Sequence, residues 1–496
     1  MMKPNNAVFD VIVIGSGIAG LAAAVAAQEQ GARVCVVERA PEGDHGGNTR
    51  HTGAYIRMKS VEQVTDDFEE HFAANAGGYL DPLMLADAAK EPDAWPPLLK
   101  ALSFVDPNVV ATLAGEAPGT LAWLGEHGVQ FFPLAVPFPT SAQPRIVPSG
   151  GGLALVDALT KSLVKLGGTL LFETAATGLL LDNEGVICGV RAVGRGNHRV
   201  ELRCRSVVIA SGGFQGNAEM LTRYIGPQAL NLRAMSVGGN YNKGEGIQMA
   251  LDVGAAPCGD FGSYHAAPFD PRSRRAGASM YIYPYGILVN KECRRFVDEG
   301  PGETDETYES VARRVFAQTG GFAWCILDAK VADVPNQSVA IKSEQPPIEA
   351  ETVAELAMKL GLPVALLEQT VADYNAACPD GKFDPRQLDG LATRGLQPPK
   401  SHWARPLDRA PFKAYPIVSA IVFTFGGLKT DAAARVLNLQ GDVIEGLYAA
   451  GEAQGLYYGN YTGATSVLKG AVFGRIAGCH AAGVAKTTSV IRRQTS

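Results

Sequence analysis

Hydrophobic positions near the start of the chain fall in short unbroken blocks rather than in alternation. Asp10 leads into Val11-Ile12-Val13-Ile14, then Gly15-Ser16-Gly17-Ile18-Ala19-Gly20 and an alanine-rich stretch; Arg33 leads into a second apolar block that closes on Glu38. Blocks of Val and Ile bounded by glycine predict strands buried on both faces, and the alanine-rich stretch between them predicts a packed crossover helix. Strand, glycine turn, helix, strand and acid in that order predict a βαβ unit that holds a dinucleotide. Gly15 permits the tight turn. Gly17 lets the backbone, with Ile18 and Ala19, approach a pyrophosphate on the helix N-terminus, and Gly20 lets the helix lie close on the strand. Glu38 comes 23 residues after Gly15. There its carboxylate can accept both hydroxyls of an adenosine ribose and repel a 2′-phosphate, with Arg39 beside it as a further contact.

Farther on, a helical pattern ends at a glycine stop, Gly128, followed by an aromatic and proline-rich loop over 131–148. Ser149-Gly150-Gly151-Gly152 then opens another helix, with a strand at 169–172 and a hairpin turned at Asp182-Asn183-Glu184-Gly185 after it. The apolar run Arg205 to Ala210 ends in Ser211-Gly212-Gly213-Phe214. Glycines just past a buried strand allow close approach at the carboxyl end of a sheet, where ligands sit, so Ala210, Ser211 and Gly212 are candidate contacts. Near the other end, the strand from Gly446 runs into Gly451-Glu452, and a glycine-punctuated loop feeds a helix from Ser466. An acid after a buried strand suits ribityl hydroxyls; the opening amides of the helix, at Ser466 and Val467, suit negative charge at flavin N1 and O2. First and last turns together specify FAD.

Between about Tyr264 and Trp403 the βαβ rhythm gives way to short strands, among them Met280 to Asn290, polar loops and helices at 352–360 and 364–378. A return linker rich in Pro, Gly and charge covers 387–409. The predicted fold is α/β: a Rossmann-like FAD-binding domain of glutathione-reductase type over 1–263 and 404–496, with an inserted α+β cap domain over 264–403.

Charge and composition exclude other classes. A net charge of −6 without a basic block leaves no footprint for nucleic acid. No apolar stretch approaches the length of a membrane span, and residues 1–6 leave no room for a leader before the first strand, so a cytoplasmic protein is expected. The eight cysteines are scattered singly, which points to no haem, iron–sulfur cluster or metal site and suits a reducing compartment.

The segments GSGIAG with Glu38, GGNTRHTGAY, VVIASGGF, GILVNKECRRFVDE and LYAAGEAQGLYYGNYTGATSVLKGAVFGRIAG resemble, in order, the fumarate reductase and succinate dehydrogenase flavoprotein family. Within it, GGNTRHTGAYIRM, FTFGGLKTD and YYGNYTGATSVLKGAVFGR are most similar to the tricarballylate dehydrogenases, which desaturate tricarballylate to cis-aconitate. The resemblance places Asn48 in the register of the histidine that attaches FAD in covalent members. Dissociable FAD is therefore expected, contacted by Gly47, Asn48, Thr49 and Gly53, with His51 out of register for a covalent link. His265 matches a substrate histidine of the fumarate-active members. Phe423 and Tyr461 replace a second substrate histidine and a substrate arginine, and Glu303 falls at or near the proton-donating arginine.

Losing those groups argues against fumarate or succinate, because a buried carboxylate without paired charge is costly. Arg50, Arg57 or Arg145 are candidate substitutes. Alternatively the pocket is apolar, walled by Phe131, Phe132, Phe138, Phe423, Phe425 and by Tyr281, Tyr283 and Tyr285 on one strand face. The reaction implied is hydride transfer between flavin N5 and a carbon next to a carboxylate or carbonyl group, with a base for the adjacent proton. Tyr458 or Tyr461 is expected to polarise the substrate, and Glu303 to serve as base. Electrons then pass to an external acceptor, which the resemblance suggests is a membrane iron–sulfur partner and which otherwise is a quinone or oxygen. Two competing readings are a ketosteroid-dehydrogenase-like or aromatic-substrate enzyme and an electron-transfer flavoprotein subunit.

Overall fold

The computed structural model describes residues 8–76, 81–88, 90–134 and 144–494. The N-terminal segment and Phe138, on which two of the expectations above rest, lie outside them. One six-stranded sheet is built around β1 (Val11–Ile14). It pairs in parallel with Ser206–Ile209 on one side and Val34–Val37 on the other. Val443–Ala449 and Thr169–Leu171 extend it in parallel, and Arg435–Leu437 closes one edge antiparallel. The unbroken apolar block has a simple cause: Val11 and Val13 enter one hydrophobic cluster and Ile12 and Ile14 the other, so both faces of β1 are covered.

Helix α1 (Ile18–Glu29) lies between that sheet and the C-terminal helix, and Ile18 through Ala27 are all buried. A helix buried all round needs small residues, and the alanines supply them. The hairpin read at Asp182–Gly185 forms, joining Ala175–Leu181 to Ile187–Gly194. Among the described residues no helix is long and apolar enough to cross a membrane.

A second sheet runs through the segment read from the sequence as a cap. Its members Tyr264–Phe269 (β2) and Phe322–Leu327 pair antiparallel with the long strand Phe412–Thr424 (β3), and Ile287–Val289 adds to the outside. Ile348–Ala350 and the short strand Arg233–Ala234 also pair with β3. The sheet thus draws two strands from outside 264–403, since β3 follows the linker and Arg233–Ala234 precedes the cap. The strand expected over Met280–Asn290 shrinks to Ile287–Val289, and Tyr283–Tyr285 coil into a 3-10 turn with Pro284 at its start. Tyr281, Tyr283 and Tyr285 therefore share no strand face. Tyr283 and Tyr285 are buried in the cap core, and only Tyr281 reaches the cavity described next.

Candidate active site

A cavity of about 480 Å3 runs from the turn after β1 to the inner face of the cap sheet, a size usual for a cofactor or substrate site. It is lined by Gly15, Gly17, Ile18 and Ala19 at the first turn and by Glu38 and Arg39 after the second strand. Gly47, Asn48, Thr49 and Gly53 follow along it, with Ala210, Ser211 and Gly212 after the strand beside β1. Gly451 and Glu452 line it from the last strand, and Ser466 and Val467 from the start of α3 (Ser466–Gln494). Gly20 is the one cofactor candidate absent from the lining. A Cβ there would stand 1.9 Å from the Gly15 carbonyl oxygen, which fits the close helix-to-strand approach read from the sequence.

The donor set and shape fit FAD. Gly17 has an ordinary φ of −69°, and a Cβ on it would meet only Thr49 Oγ1 at 3.5 Å and the Gly46 carbonyl at 3.7 Å. The fold itself does not demand glycine there; a ligand lying against the backbone does. The Glu38 carboxylate accepts the Ser16 N–H at 2.9 Å, the Ser16 hydroxyl at 2.6 Å and the Ala40 N–H at 2.7 Å. Three donors hold it in place and leave acceptor capacity at the cavity wall for a ribose hydroxyl. Thr49 Oγ1 accepts the Ile18 N–H at 3.1 Å and so caps α1. The Asn48 amide donates to the Val422 carbonyl at 2.7 Å and accepts from Ser236 Oγ at 2.7 Å, which ties this loop to the end of β3. His51 lines the cavity as well, and burial together with the Arg50 charge holds its pKa below the ordinary value.

Glu452 is half-buried at the cavity wall, and desolvation there pushes its carboxyl up. It accepts from the Thr424 N–H at 2.9 Å and hydroxyl at 3.2 Å, from Gln215 at 3.3 Å and from Asn242 at 3.2 Å. It is thus held mainly by the chain itself. Lys469, one turn into α3, also faces the cavity. It donates to the Gln454 carbonyl at 2.7 Å and lies 4.8 Å from the centroid of the Tyr457 ring. Burial lowers its ammonium pKa to about 7 against the pull of Glu452.

At the cap end, β2 and β3 place His265 opposite Phe423, and the register shifts just after His265. That irregularity re-aims the side chain, as bulges beside functional sites do. His265 is 7% exposed and lines the cavity. Its Nδ1 meets Glu309 Oε2 at 2.6 Å and its Nε2 meets the Tyr308 hydroxyl at 3.2 Å. Arg313 donates to Glu309 Oε1 at 2.8 Å and to the Gly459 carbonyl at 2.8 Å, so Glu309 is oriented by a charge of its own. Burial drives the Tyr308 phenol well above its ordinary pKa. Tyr461 packs on His265 with ring centroids 4.4 Å apart. Its hydroxyl accepts the N–H groups of Thr465 and Ser466, each at 3.0 Å, and donates to Ser466 Oγ at 3.0 Å. It therefore sits at the positive end of α3.

Two sequence candidates stand elsewhere. Glu303 occupies the residue before the helix α2 (Thr304–Phe316) and is not among the described lining residues. Burial and the nearby Glu306 and Asp305 charges raise its carboxyl pKa. The helix that begins at Thr304 turns Tyr308 into the cavity and Glu309 onto His265, and leaves Glu303 outside. Tyr458 points into a different enclosure, where its hydroxyl lies 2.8 Å from Ser103 Oγ and accepts the Gly259 N–H at 2.9 Å. Of the substitute cations, Arg57 is buried against Asp67. Arg145 lines the cavity with its guanidinium 2.9 Å from Asp305 and its buried Nε unpartnered.

Sequence reasoning missed Tyr308, Glu309, Arg313, Lys342 and Lys469. The signal for the first three lay in the polar stretch after Thr304, where Glu309 takes the buried face of a helix whose Glu306 and Arg314 are exposed.

The family model for the FAD binding domain matches residues 10–468, and the chain belongs to that family. It is 29% identical to the NADH:acrylate oxidoreductase of Vibrio harveyi over 95% of its own length, and spans half (50%) of that longer protein. Its structure is similar to the open conformation of a flavocytochrome c3 fumarate reductase, with a TM-score of 0.74 and 25% identity over 97% of this chain and 79% of that one. A second likeness is to the 3-ketosteroid-Δ4-(5α)-dehydrogenase of Rhodococcus jostii RHA1, with a TM-score of 0.67 and 25% identity over 97% of this chain and 100% of the other. The chain therefore has the FAD-binding flavoprotein fold of the fumarate reductase type, and its cofactor is FAD.

Proposed function

We propose that this chain is an FAD-dependent oxidoreductase that desaturates, or in reverse reduces, a carbon–carbon bond beside a carboxylate or carbonyl group. One observation carries the reading: the cavity that begins at the dinucleotide turn ends at a buried His265 held between Glu309 and Tyr308. Bound FAD supplies hydride acceptance and donation at N5. The proton that accompanies the hydride falls to the chain's own groups. With Nδ1–H directed at Glu309, His265 presents Nε2 to the Tyr308 hydroxyl, and the pair can hold or pass a proton at that oxygen. Glu309, backed by Arg313, fixes the ring and its tautomer. The positive end of α3, on which the Thr465 and Ser466 amides hold Tyr461, favours negative charge at the flavin pyrimidine or on a substrate oxygen. The rings of Phe423, Tyr457 and Tyr461 keep water out.

Dissociable FAD and an external electron partner, whether iron–sulfur protein, quinone or oxygen, belong to the same reading, supported by Asn48 in place of the linking histidine. Motif similarity supports the narrower tricarballylate reading. Against it, three carboxylates would meet, at the cap end, Arg145 already held by Asp305 and Lys342. The ring-lined cap end and the likeness to a ketosteroid dehydrogenase favour a ketone or aromatic substrate as the second reading. The cap cavity itself weighs against an electron-transfer subunit without a pocket.

The test is anaerobic mixing of the reduced holoprotein with tricarboxylates, dicarboxylates, enoates and enones, following return of the flavin absorbance. Turnover with one of these classes is expected, and His265→Gln and Tyr308→Phe should each slow it by roughly a hundredfold. If only a protein partner, and no small molecule, reoxidises the flavin, the reading fails.

A further inference from the structure

Lys342 enters the cavity from the cap without a carboxylate to answer it. Its Nζ lies 5.4 Å from the Tyr281 ring centroid and 5.8 Å from that of Tyr55, a residue of the flavin-side loop. No ion pair joins it to an acid among the described residues, whereas Arg39 and Arg145, the two arginines in the lining, face Glu245 and Asp305. Its backbone N–H donates to the Ser279 carbonyl at 3.1 Å, which fixes where the side chain starts. Tyrosine faces on two sides attract the side-chain nitrogen and restrict its sweep. Such a group, half-buried in the lining of a reaction cavity, is arranged for an anion that comes and goes rather than for a structural partner.

The surroundings limit that anion. Tyr281 packs edge-on against Tyr308 at 5.3 Å, and Tyr308 against His265 at 5.6 Å. A row of rings therefore leads from Lys342 to the proposed proton-handling pair, with Phe423 and Tyr461 beyond. Aromatic walls suit a flat, unsaturated or aryl body by stacking and edge contact. At the cap end of the cavity, one positive charge without an ion pair among the described residues suits one carboxylate. A second or third would be desolvated against phenols and the Asp305 carboxylate without compensation.

We propose that Lys342, framed by Tyr55 and Tyr281, is the carboxylate anchor of the substrate site and selects aryl or otherwise planar monocarboxylates over di- and tricarboxylates. The proposal rests on the function proposed above but concerns binding, so it can be tested apart from turnover. Tyr55 comes from the flavin-side loop and Lys342 from the cap. The anchor is complete only where the two lobes meet.

The experiment uses the FAD-loaded full chain and calorimetry with three probes: cinnamate, its neutral ketone counterpart 4-phenylbut-3-en-2-one, and cis-aconitate. Cinnamate is expected to bind more tightly than cis-aconitate. In Lys342→Met the ratio of cinnamate to ketone affinity should fall by about tenfold or more, as expected for loss of a charge-assisted contact. Lys342→Arg should restore most of that ratio. Retention of the flavin spectrum shows that each variant is folded. An unchanged ratio in Lys342→Met, or tighter binding of cis-aconitate than of cinnamate, overturns the proposal. Reoxidation of the reduced flavin by the same three compounds is scored separately. Binding that depends on Lys342 without reoxidation by any of them leaves the anchor standing and sinks the catalytic reading.

Discussion

Tyr458 and Tyr461 stand three residues apart and carry the same phenol, yet their partners set them different tasks. The Tyr458 hydroxyl is bonded to Ser103 and the Gly259 N–H on the far side of the loop, so its loss should be felt in stability. The Tyr461 hydroxyl answers two amides at the head of α3 and its ring covers His265, so its loss should be felt in the chemistry. Tyr458→Phe is expected to cost about 1–3 kcal/mol, as does any change that leaves buried polar groups unpaired, with flavin reduction kept. Tyr461→Phe should slow flavin reduction or reoxidation with a smaller change in melting temperature. Glu303→Gln, outside the cavity, should leave both rates in place. Stopped-flow flavin absorbance and calorimetric unfolding of the three variants distinguish these outcomes, and slowed flavin reduction in Glu303→Gln would restore that carboxylate to the catalytic site.

Between elements, α1 and α3 approach each other closely along a line of glycines. Gly474 and Gly478 lie over the backbone of α1: a Cβ on them would come within 2.3 Å of the Ala19 carbonyl oxygen and 2.2 Å of the Ala23 carbonyl oxygen, respectively. Glycine in a helix interior ordinarily weakens it. Here the contact, not helix propensity, decides. Gly478→Ala is expected to destabilise by about 1–3 kcal/mol through overpacking. Gly115→Ala is the control, since that glycine lies within the helix Pro107–Glu126 with nothing within 4 Å of its Cβ position, and it should stabilise by about 0.5–1 kcal/mol. Equal effects of the two substitutions in thermal unfolding would contradict this account of the packing.

Across the whole molecule, buried ionisable groups set how stability follows pH. Burial lowers Lys400 to about 8 and Lys469 to about 7 from an ordinary 10.5. Between those values and 10.5 the unfolded chain binds more protons than the folded one, so stability rises with pH. Burial raises Cys35, Cys204 and Cys325 to about 12 from 9.0. Above pH 9 the unfolded chain sheds protons that the folded one keeps, and stability falls. Three thiols outweigh two amines, so a maximum is expected near pH 9. Unfolding midpoints measured from pH 6 to 10.5 check this. The rise between pH 8 and 9 should flatten in Lys400→Met and the fall above 9 in Cys325→Ala. A maximum below pH 7 would show that other groups dominate.

Local rules settled much of this protein from the chain alone. Unbroken Val and Ile blocks, glycines at fixed spacing and Glu38 after the second strand pointed to the turns and strand ends at one end of the cavity, because each depends on neighbours a few residues away, and nearly every residue so named lines it. The cap end was decided only in three dimensions. Tyr281, Tyr283 and Tyr285 read as a strand face, but Pro284 and the fit of the cap core coil them into a turn. Tyr308, Glu309 and Lys342 reach His265 and the flavin-side loop from helices and loops far along the chain. Their roles follow from how strand Phe412–Thr424 and helix Thr304–Phe316 pack together. Periodicity reports which face of an element is buried; it does not report what that face meets.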